Sequence, residues 1–176
     1  ALRDALPIFT DQTFSAGDRD LAPFLAQMLH ETVGLTQLEE NLNYTAPRIM
    51  QVWSSRFPTL ESAQPYAGNP RALANKVYAA RMGNHMPNDG WDYRGRGIPQ
   101  ITGLANYIAV GKLLGTDLAQ TPDLLLQPLI ALPAGIAWWE KRIPDSALAD
   151  TVEVTRLVSG GALGLAQRQK LTVQAL

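Results

Sequence analysis

Glycine and proline interrupt this chain so often that every regular element in it must be short. The 176 residues include 14 Gly and 12 Pro, and the segments between them carry apolar residues at helical rather than strand spacing. One helix face near the start of the chain is marked by Leu21, Phe24, Leu25, Met28 and Leu29. We predict that this helix begins near Asp20, a residue type that caps helices, and stops at Gly34.

Further helices are predicted from capping signals. The predicted starts are Thr45 before Ala46-Pro47, Asn69 before Pro70, and Asp150, which has the form of a capping box with Glu153. The predicted helices cover residues 45–57, 69–83, 103–114, 121–127, 128–142, 150–159 and the C-terminus from Gly164. Alternating strand patterns are scarce. Residues 37–44 are the candidate for a small hairpin or irregular lobe, and residues 84–97 are expected to form a long functional loop. The predicted fold is therefore mostly α.

Composition and charge exclude several classes of protein. The formal net charge is −1, so no basic patch for nucleic acid and no polybasic membrane anchor is expected. No apolar run approaches the roughly 20 residues that span a bilayer. The N-terminal stretch ALRDALPIFT lacks the basic start and apolar core of a signal peptide. We therefore expect one domain over residues 1–176 with no separate cell-wall-binding domain.

The residue inventory leaves carboxylates as the candidate catalytic groups. The chain has 2 His and 0 Cys, and His30-Glu31 is followed by Thr-Val-Gly rather than by a second His of a zinc motif. It contains neither a G-x-S-x-G elbow for a serine nucleophile nor a glycine-rich phosphate loop. We expect no metal and no organic cofactor.

Glu31 occupies the most informative position among these carboxylates. It follows Met28 by three residues, so it falls on or beside the buried stripe at the end of the first predicted helix. Apolar neighbours and the negative end of the helix dipole both disfavour an ionised carboxylate, as a general acid requires. From its position alone, the alternative that His30-Glu31 is an ordinary polar helix end stays open.

A second carboxylate is expected from Glu39 or Glu40. If the chain turns at Gly34, this pair can fold back across a cleft towards Glu31. Two carboxyl groups about 6.5–9.5 Å apart suit an inverting glycosidase, whereas about 5–5.5 Å implies a covalent intermediate. The alternative for these residues is a solvated acidic pair on the surface.

Four segments of the sequence resemble glycoside hydrolase family 19, in particular its phage and prophage endolysin branch. They are FLAQMLHETVGLTQLEENLNY (24–44), YAARMG (78–83), DGWDYRGRGIPQITGLANY (89–107) and TRLVSGGALGLAQRQ (155–169). The resemblance spans residues 18–170. It implies a two-lobed, lysozyme-like domain with a central cleft, in which residues 32–45 belong to the small lobe.

The resemblance also assigns catalytic roles. Glu31 corresponds to the general acid that protonates the leaving oxygen, and Glu40 corresponds to the base that activates water. Glu39 is the neighbour with which Glu40 could be confused. Thr102 stands where the family has a hydroxyl that helps to hold that water.

Further residues are expected to contact substrate. Gln100 and Asn106 match side chains that face sugar amides and hydroxyls, and His30 lies beside the acid. Tyr44 and Trp91 are expected to line the groove, with core packing as the alternative role for both. Two arginines of the same segment, Arg94 and Arg96, are expected to buttress the loop through backbone carbonyls and a carboxylate. Contact with acidic or amide groups of the substrate is the alternative role for both.

Several positions depart from the family pattern: Val33, Ile98, Pro99, Leu104, Ser159 and Leu163. Val33 stands in place of a glycine, Leu104 in place of an arginine, and Leu163 in place of an asparagine. Both carboxylates are intact. The departures therefore concern the distal binding subsites, where they imply reduced activity or altered specificity.

The leading functional hypothesis is inverting hydrolysis of the β-1,4 bond between N-acetylmuramic acid and N-acetylglucosamine in peptidoglycan. It predicts a monomer whose partners are glycan strands, made in the bacterial cytoplasm from a phage or prophage gene. It would act on the cell wall, in the periplasm or outside the cell. The alternatives are a chitinase, a lytic transglycosylase, a non-catalytic peptidoglycan-binding module and an antibacterial effector with an immunity protein.

Overall fold

The computed structural model describes residues 14–175 and shows a mostly helical protein. Its helices are α1 (Asp18–Glu31), α2 (Ala46–Val52), α3 (Leu60–Ala63), α4 (Pro70–Val77), α5 (Asp89–Asp92), α6 (Leu104–Leu114), α7 (Pro128–Arg142), α8 (Thr151–Ser159) and α9 (Leu165–Ala175). Short 3₁₀ helices cover Gln64–Tyr66, Pro122–Leu126 and Asp145–Ala147. The mostly α fold class is confirmed. Residues 1–10, where no export signal was predicted, lie outside the described residues.

No strand occurs within residues 14–175, and only isolated bridges join Glu39 to Arg96 and Arg96 to Ile101. Of the two forms expected for residues 37–44, the irregular one is therefore present, without a hairpin. Within the same residues, no helix has both the length and the apolar character needed to cross a membrane.

Three predicted helix starts are confirmed by capping residues. Thr45 is the N-cap residue of α2, and the side chain of Asn69 accepts a hydrogen bond from the backbone N–H of Ala72 at the start of α4. Asp150 accepts hydrogen bonds from two N–H groups in the first turn of α8. Asp20 is not a cap, since α1 begins two residues earlier, at Asp18. Its buried carboxylate instead accepts a hydrogen bond from Trp139 Nε1 of α7 at 2.7 Å.

The prediction of one helix from Asn69 to Gly83 is wrong, because α4 ends at Val77. Beyond Val77 the backbone leaves helical geometry, with positive φ at Ala80 and Met82, and the side chain of Asn84 holds this stretch. Its side-chain amide donates to the carbonyl of Tyr78 at 3.1 Å, and its side-chain oxygen accepts from the N–H of Leu104 at 2.9 Å. These contacts draw the chain out of the helix and onto the start of α6, so tertiary bonding overrides local propensity.

Two other predicted helices are shorter or tighter than expected. The helix after Thr45 ends at Val52, and Phe57 is buried beyond its end. Residues 121–127 form a 3₁₀ helix over Pro122–Leu126 rather than an α-helix. Proline in the first turn favours the helical start in both cases but does not set the length or the type of helix.

Buried apolar side chains form separate clusters that divide the molecule into two lobes. The first cluster joins α1, α7 and α8 and includes Phe24, Met28, Trp139 and Val154. Another cluster, built by α6 with the chain before α7, includes Tyr107, Val110, Leu118 and Ala134. Because α7 contributes to this cluster and to the first, the two together form the core of the larger lobe. The second cluster lies within residues 42–77 and includes Ile49, Phe57, Leu73 and Val77. The second cluster is thus the core of a smaller lobe.

The segment that carries Glu39 and Glu40 crosses from one lobe to the other. Leu38, immediately before it, packs against the first cluster, whereas Leu42, immediately after it, is buried in the second. Hydrophobic burial on both sides therefore fixes where this short stretch of chain lies. Both glutamates are held at the junction between the two lobes.

Gly90 joins α5 to α4 by a close backbone approach. A Cβ atom at this position would lie 2.4 Å from the carbonyl oxygen of Ala74 in α4, closer than packing permits. We predict that Gly90→Ala lowers the free energy of unfolding by about 1–3 kcal/mol, the usual cost of overpacking.

Gly161 provides the matched control, since a Cβ there meets nothing within 4 Å. Urea unfolding of Gly90→Ala and Gly161→Ala measures the difference. Equal stabilities for the two variants would contradict the packing of α5 on α4.

Candidate active site

The carboxylate of Glu40 is bound by two donors from distant parts of the chain. Its Oε2 accepts a hydrogen bond from Tyr78 Oη at 2.7 Å, and its Oε1 accepts one from the backbone N–H of Gly95 at 2.5 Å. The backbone N–H of Glu40 also donates to the carbonyl of Gly95 at 2.9 Å. Tyr78 follows the last turn of α4 in the smaller lobe, so the carboxylate ties that lobe to the loop around Gly95.

Tyr78 is a stable donor in this pair. Burial raises the pKa of its hydroxyl well above the ordinary value, and the neighbouring charge and hydrogen bond of Glu40 raise it further. Since the phenol stays protonated, its O–H continues to donate to Glu40 throughout the pH range in which proteins function.

Gly95 leaves space for two oxygen atoms beside its backbone. A Cβ at Gly95 would lie 3.3 Å from Glu40 Oε1 and 3.2 Å from Thr102 Oγ1, so the carboxylate and this hydroxyl flank the same small gap. Thr102 Oγ1 donates to the carbonyl of Gln100 at 3.1 Å, and Asn106 Nδ2 donates to the carbonyl of Thr102 at 2.7 Å. Four predicted site residues are thereby brought together: Glu40, Gln100, Thr102 and Asn106.

Glu39 has different partners from Glu40, although the two are adjacent. Its carboxylate forms an ion pair with Arg94, whose Nε donates to Glu39 Oε1 at 2.5 Å. The guanidinium of Arg94 also donates to the carbonyl of Trp91 at 2.9 Å and lies 3.9 Å from the centroid of the Trp91 ring. Glu39 therefore binds the loop through Arg94. As expected from the sequence, Arg94 contacts a backbone carbonyl and a carboxylate.

Hydrogen bonds from the side chains of Tyr107 and Arg96 hold the loop over residues 92–97 in place. Tyr107 Oη donates to the carbonyl of Arg94 at 2.6 Å and accepts a hydrogen bond from Arg96 Nη1 at 3.1 Å. Arg96 further donates to the carbonyl of Asp92 at 2.6 Å and pairs with Asp123 at 2.9 Å. Both side chains are buried, so the backbone that presents Gly95 to Glu40 is rigidly supported.

Glu31 is the last residue of α1, and its carboxylate forms an ion pair with Arg168 of α9 at 2.5 Å. The side chain of Arg168 is only 2% exposed, whereas that of Glu31 is 30% exposed. Arg168 also donates to the side chain of Gln27, one turn before Glu31, and to the carbonyl of Leu163 at 3.2 Å. Three acceptors thus surround the buried cation, and one edge of Glu31 is left open to solvent. Glu31 therefore faces a cation, not the purely apolar surroundings that its position in the sequence predicted.

His30 contacts the same C-terminal helix. Its Nδ1 lies 3.0 Å from Oε1 of Gln167. A Cβ at Gly164 would overlap the His30 ring, and the φ of +71° at this position also favours glycine. His30 and Glu31 are therefore both held by contacts with α9 and the residue before it. None of these contacts involves the residues that bind Glu40.

The loop behind Gly95 and the helix that carries Glu31 share one buried core. Met28, one turn before Glu31, and Ile98, just after the loop, belong to the first cluster, against which Leu38 also packs. The helix that carries Glu31 and the loop that binds Glu40 are therefore connected through packed side chains.

The two aromatic candidates both lie against the smaller lobe. Tyr44 and Trp91 are half-buried and pack against the second cluster. The ring of Tyr44 meets that of Trp53 edge to face at 5.4 Å, and Tyr44 also borders a surface groove of about 430 Å³. The backbone N–H of Trp91 donates to Asn75 at 2.7 Å. Tyr44 and Trp91 therefore make the core packing contacts that were the alternative to lining the groove.

Tyr78 and Arg168 are site residues that sequence reasoning missed. Each contacts a candidate carboxylate from a great distance along the chain, 38 residues in one case and 137 in the other. Both lie inside segments that resemble the family, and that resemblance is the signal that could have drawn attention to them. Within residues 14–175, no group of three or more His, Asp or Glu side chains is arranged to hold a metal ion.

Comparison with known sequences identifies relatives among sugar-polymer hydrolases. A glycosyl hydrolase family 19 domain-containing protein of Haemophilus influenzae is 39% identical over 152 residues, which are 85% of this chain and 75% of that protein. Endochitinase 2 of Gossypium hirsutum is 30% identical over 122 residues, which are 69% of this chain but only 35% of the plant protein. No profile of a known protein family matches the chain.

Solved structures show the same fold. Chitinase C of Streptomyces griseus aligns with 98% of this chain and 78% of its own, with a TM-score of 0.58 and 22% identity. Another bacterial family 19 chitinase aligns with 98% of this chain and 81% of its own, with a TM-score of 0.55 and 24% identity. The expected lysozyme-like, mostly helical architecture is therefore confirmed.

The fold and the relatives together define a glycoside hydrolase of the chitinase type. The chain belongs to glycoside hydrolase family 19, since the Haemophilus influenzae relative matches most of its length at 39% identity. The relatives do not assign the chain to the endolysin branch.

Tyr107 makes the support of this site sensitive to alkaline pH. Burial raises the pKa of Tyr107 to about 12, against about 10 for an exposed tyrosine. Folding favours the protonated phenol, so its contribution is complete below about pH 10 and is lost as the pH rises through about 12. The full shift corresponds to roughly 3 kcal/mol of stability.

Urea unfolding at about pH 9 and about pH 11 checks this for the native chain and for Tyr107→Phe. We expect the native chain to lose about 1 kcal/mol more than the variant over this interval, because Tyr107 ionises in the unfolded chain but stays protonated in the folded one, and the variant lacks this group. Parallel losses in the two proteins would contradict the role of Tyr107.

Proposed function

We propose that this family 19 glycosidase hydrolyses the β-1,4 bond between N-acetylmuramic acid and N-acetylglucosamine in peptidoglycan, with inversion. The observation that carries the proposal is the different surroundings of its two carboxylates. Glu31 is paired with a buried cation and is partly open to solvent, whereas Glu40 accepts two hydrogen bonds beside a hydroxyl group. Two carboxyl groups in unlike environments suit separate acid and base roles.

Glu31 is the proposed general acid. In its protonated form it donates a proton to the glycosidic oxygen as the bond to the leaving sugar breaks. The transfer leaves a carboxylate, which the guanidinium of Arg168 stabilises from 2.5 Å. Gln27 and the carbonyl of Leu163 hold Arg168 in place, so the stabilising charge needs no rearrangement during the reaction.

Glu40 is the proposed general base. It removes a proton from a water molecule that attacks the anomeric carbon from the opposite face of the sugar. The hydroxyl of Thr102, which flanks the same gap beside Gly95, helps to hold that water. Tyr78 and the N–H of Gly95 fix the orientation of the carboxylate, and Glu39 is occupied by Arg94. These contacts favour Glu40 over Glu39 as the base.

The remaining predicted residues are proposed to bind the glycan. The side chains of Gln100 and Asn106 are exposed next to Thr102 and offer amide groups to sugar hydroxyls and acetamides. His30 borders Glu31, and Tyr44 and Trp91 present aromatic surface on the smaller lobe. A single domain acting as a monomer on glycan strands, without metal or organic cofactor, is sufficient for this chemistry.

The biological setting proposed is that of a phage or prophage endolysin. The enzyme would be made in the bacterial cytoplasm and would act on the cell wall in the periplasm or outside the cell. The support is the resemblance of residues 24–44 and 89–107, including Tyr93-Arg94-Gly95-Arg96-Gly97, to the endolysin branch. The relative in Haemophilus influenzae shows that the family occurs in bacteria.

Chitin is the second candidate substrate. The cotton relative is named an endochitinase, and chitinase C of Streptomyces griseus shares the fold. Chitin consists of N-acetylglucosamine alone, so the same acid and base can act on it. Parallel assays on soluble chitin oligomers and purified sacculi distinguish the two substrates.

We predict that Glu31→Gln and Glu40→Gln each reduce lysis of outer-membrane-permeabilised Gram-negative cells by about 100-fold or more, because each removes a proton-transfer group. The measurement is the loss of turbidity. Glu39→Gln is the matched control, since it makes the same change of charge at the neighbouring position. It is expected to retain activity within about tenfold and to act mainly by loosening the ion pair with Arg94.

Full lysis by Glu31→Gln would contradict its role as the acid. A larger loss in Glu39→Gln than in Glu40→Gln would assign the base to Glu39. Folded protein that binds sacculi without releasing reducing ends would indicate a non-catalytic peptidoglycan-binding module.

A further inference from the structure

We propose that the groove between α6 and α7 binds the acidic stem peptide of peptidoglycan, an inference that rests on the peptidoglycan hydrolysis proposed above. The groove has a volume of about 200 Å³. Its lining includes Asn106, Ala109 and Leu113 of α6 and Trp138, Lys141 and Arg142 of α7. It would distinguish peptidoglycan from chitin, which carries no peptide.

The groove adjoins the candidate site at Asn106. This residue lines the groove, and its Nδ2 also donates to the carbonyl of Thr102, whose hydroxyl lies beside Glu40. From Asn106 to Leu113 the helix rises by roughly 10 Å. A substituent on a sugar bound near Asn106 can therefore enter the groove without leaving the protein surface.

The chemistry of the groove matches a peptide with alternating methyl groups and carboxylates. Ala109, Leu113 and Trp138 supply apolar surface, and the side chain of Leu113 is 57% exposed. Lys141 and Arg142 supply two exposed cations at the same groove. The stem peptide of peptidoglycan begins with alanine and continues with residues that bear free carboxylates, so both kinds of surface have a partner in it.

One of the two cations is already oriented. Arg142 Nε donates to the carbonyl of Leu157 at 3.2 Å, and its guanidinium carbon lies 5.2 Å from the centroid of the Trp138 ring. The remaining N–H groups of Arg142 form a fork that suits a carboxylate. Because the whole chain has a net charge of −1, this pair of cations is a local feature and does not reflect a generally basic protein.

Lys141→Glu tests the proposal, with Lys112→Glu as the matched control. Both lysines are exposed, but Lys112, on α6, borders a different cavity, near Gly115. The substrates are sacculi and the same glycan stripped of its peptides by an amidase. We expect Lys141→Glu to lower kcat/KM on the peptide-bearing glycan by roughly three- to tenfold, the scale of an exposed charge interaction.

Activity on the stripped glycan should be unchanged in Lys141→Glu, and Lys112→Glu should match the native chain on both substrates. The loss should shrink as salt is raised, because salt screens an exposed ion pair. A soluble disaccharide tripeptide should also bind the native chain more tightly than Lys141→Glu in calorimetry.

Equal rates for Lys141→Glu and the native chain on both glycans, or equal losses on both, would overturn the proposal for the groove. In either case the native chain would still cleave peptidoglycan, and the proposed function would stand. If the native chain releases reducing ends from neither glycan, the proposed function fails and the groove proposal fails with it.

Discussion

The carboxylate of Glu40 is the contact on which the arrangement of this protein depends. Its two oxygens accept hydrogen bonds from Tyr78, at the end of α4, and from the backbone of Gly95, in the loop before α6. The chain that carries it passes from the larger core at Leu38 to the smaller core at Leu42. This short segment therefore passes from one lobe to the other and supplies the proposed base at their junction.

The second carboxylate is organised around a buried cation. Arg168 is almost wholly buried, a placement that is costly for a charge unless acceptors surround it. Glu31, Gln27 and the carbonyl of Leu163 provide those acceptors. The same contacts hold α9 against the end of α1, so the ion pair that stabilises the fold is also the one that positions the proposed acid. Stability and reactivity share these side chains.

Local signals in the sequence predicted much of the fold and part of the site. The starts of α2, α4 and α8 follow from Thr45, Asn69 and Asp150, because a capping residue acts within one turn. The end of α4 did not follow, because the chain beyond it is held by hydrogen bonds that join Asn84 to Tyr78, six residues earlier, and to Leu104, 20 residues later. Propensity alone favours a longer helix there.

The same limit applied to the candidate site. Glu31, Glu40 and Thr102 match catalytic positions of the family motifs. Tyr78 and Arg168 also lie in segments that resemble the family, but only the three-dimensional contacts show that they bind the two carboxylates. Sequence also left Glu39 and Glu40 as alternatives. The ion pair of Glu39 with Arg94 and the two hydrogen bonds to Glu40 give the pair distinct environments, which no local pattern encodes.

Analysis of the products released from purified sacculi tests the central claim most directly. Proton NMR during the first minutes of reaction reads the anomeric configuration, and mass spectrometry identifies the sugar at the new reducing end. Acid and base catalysis by Glu31 and Glu40 predicts inverted configuration, and cleavage of the proposed bond predicts N-acetylmuramic acid at the new reducing end. Retained configuration, or anhydro-muramyl ends formed without water, would contradict it.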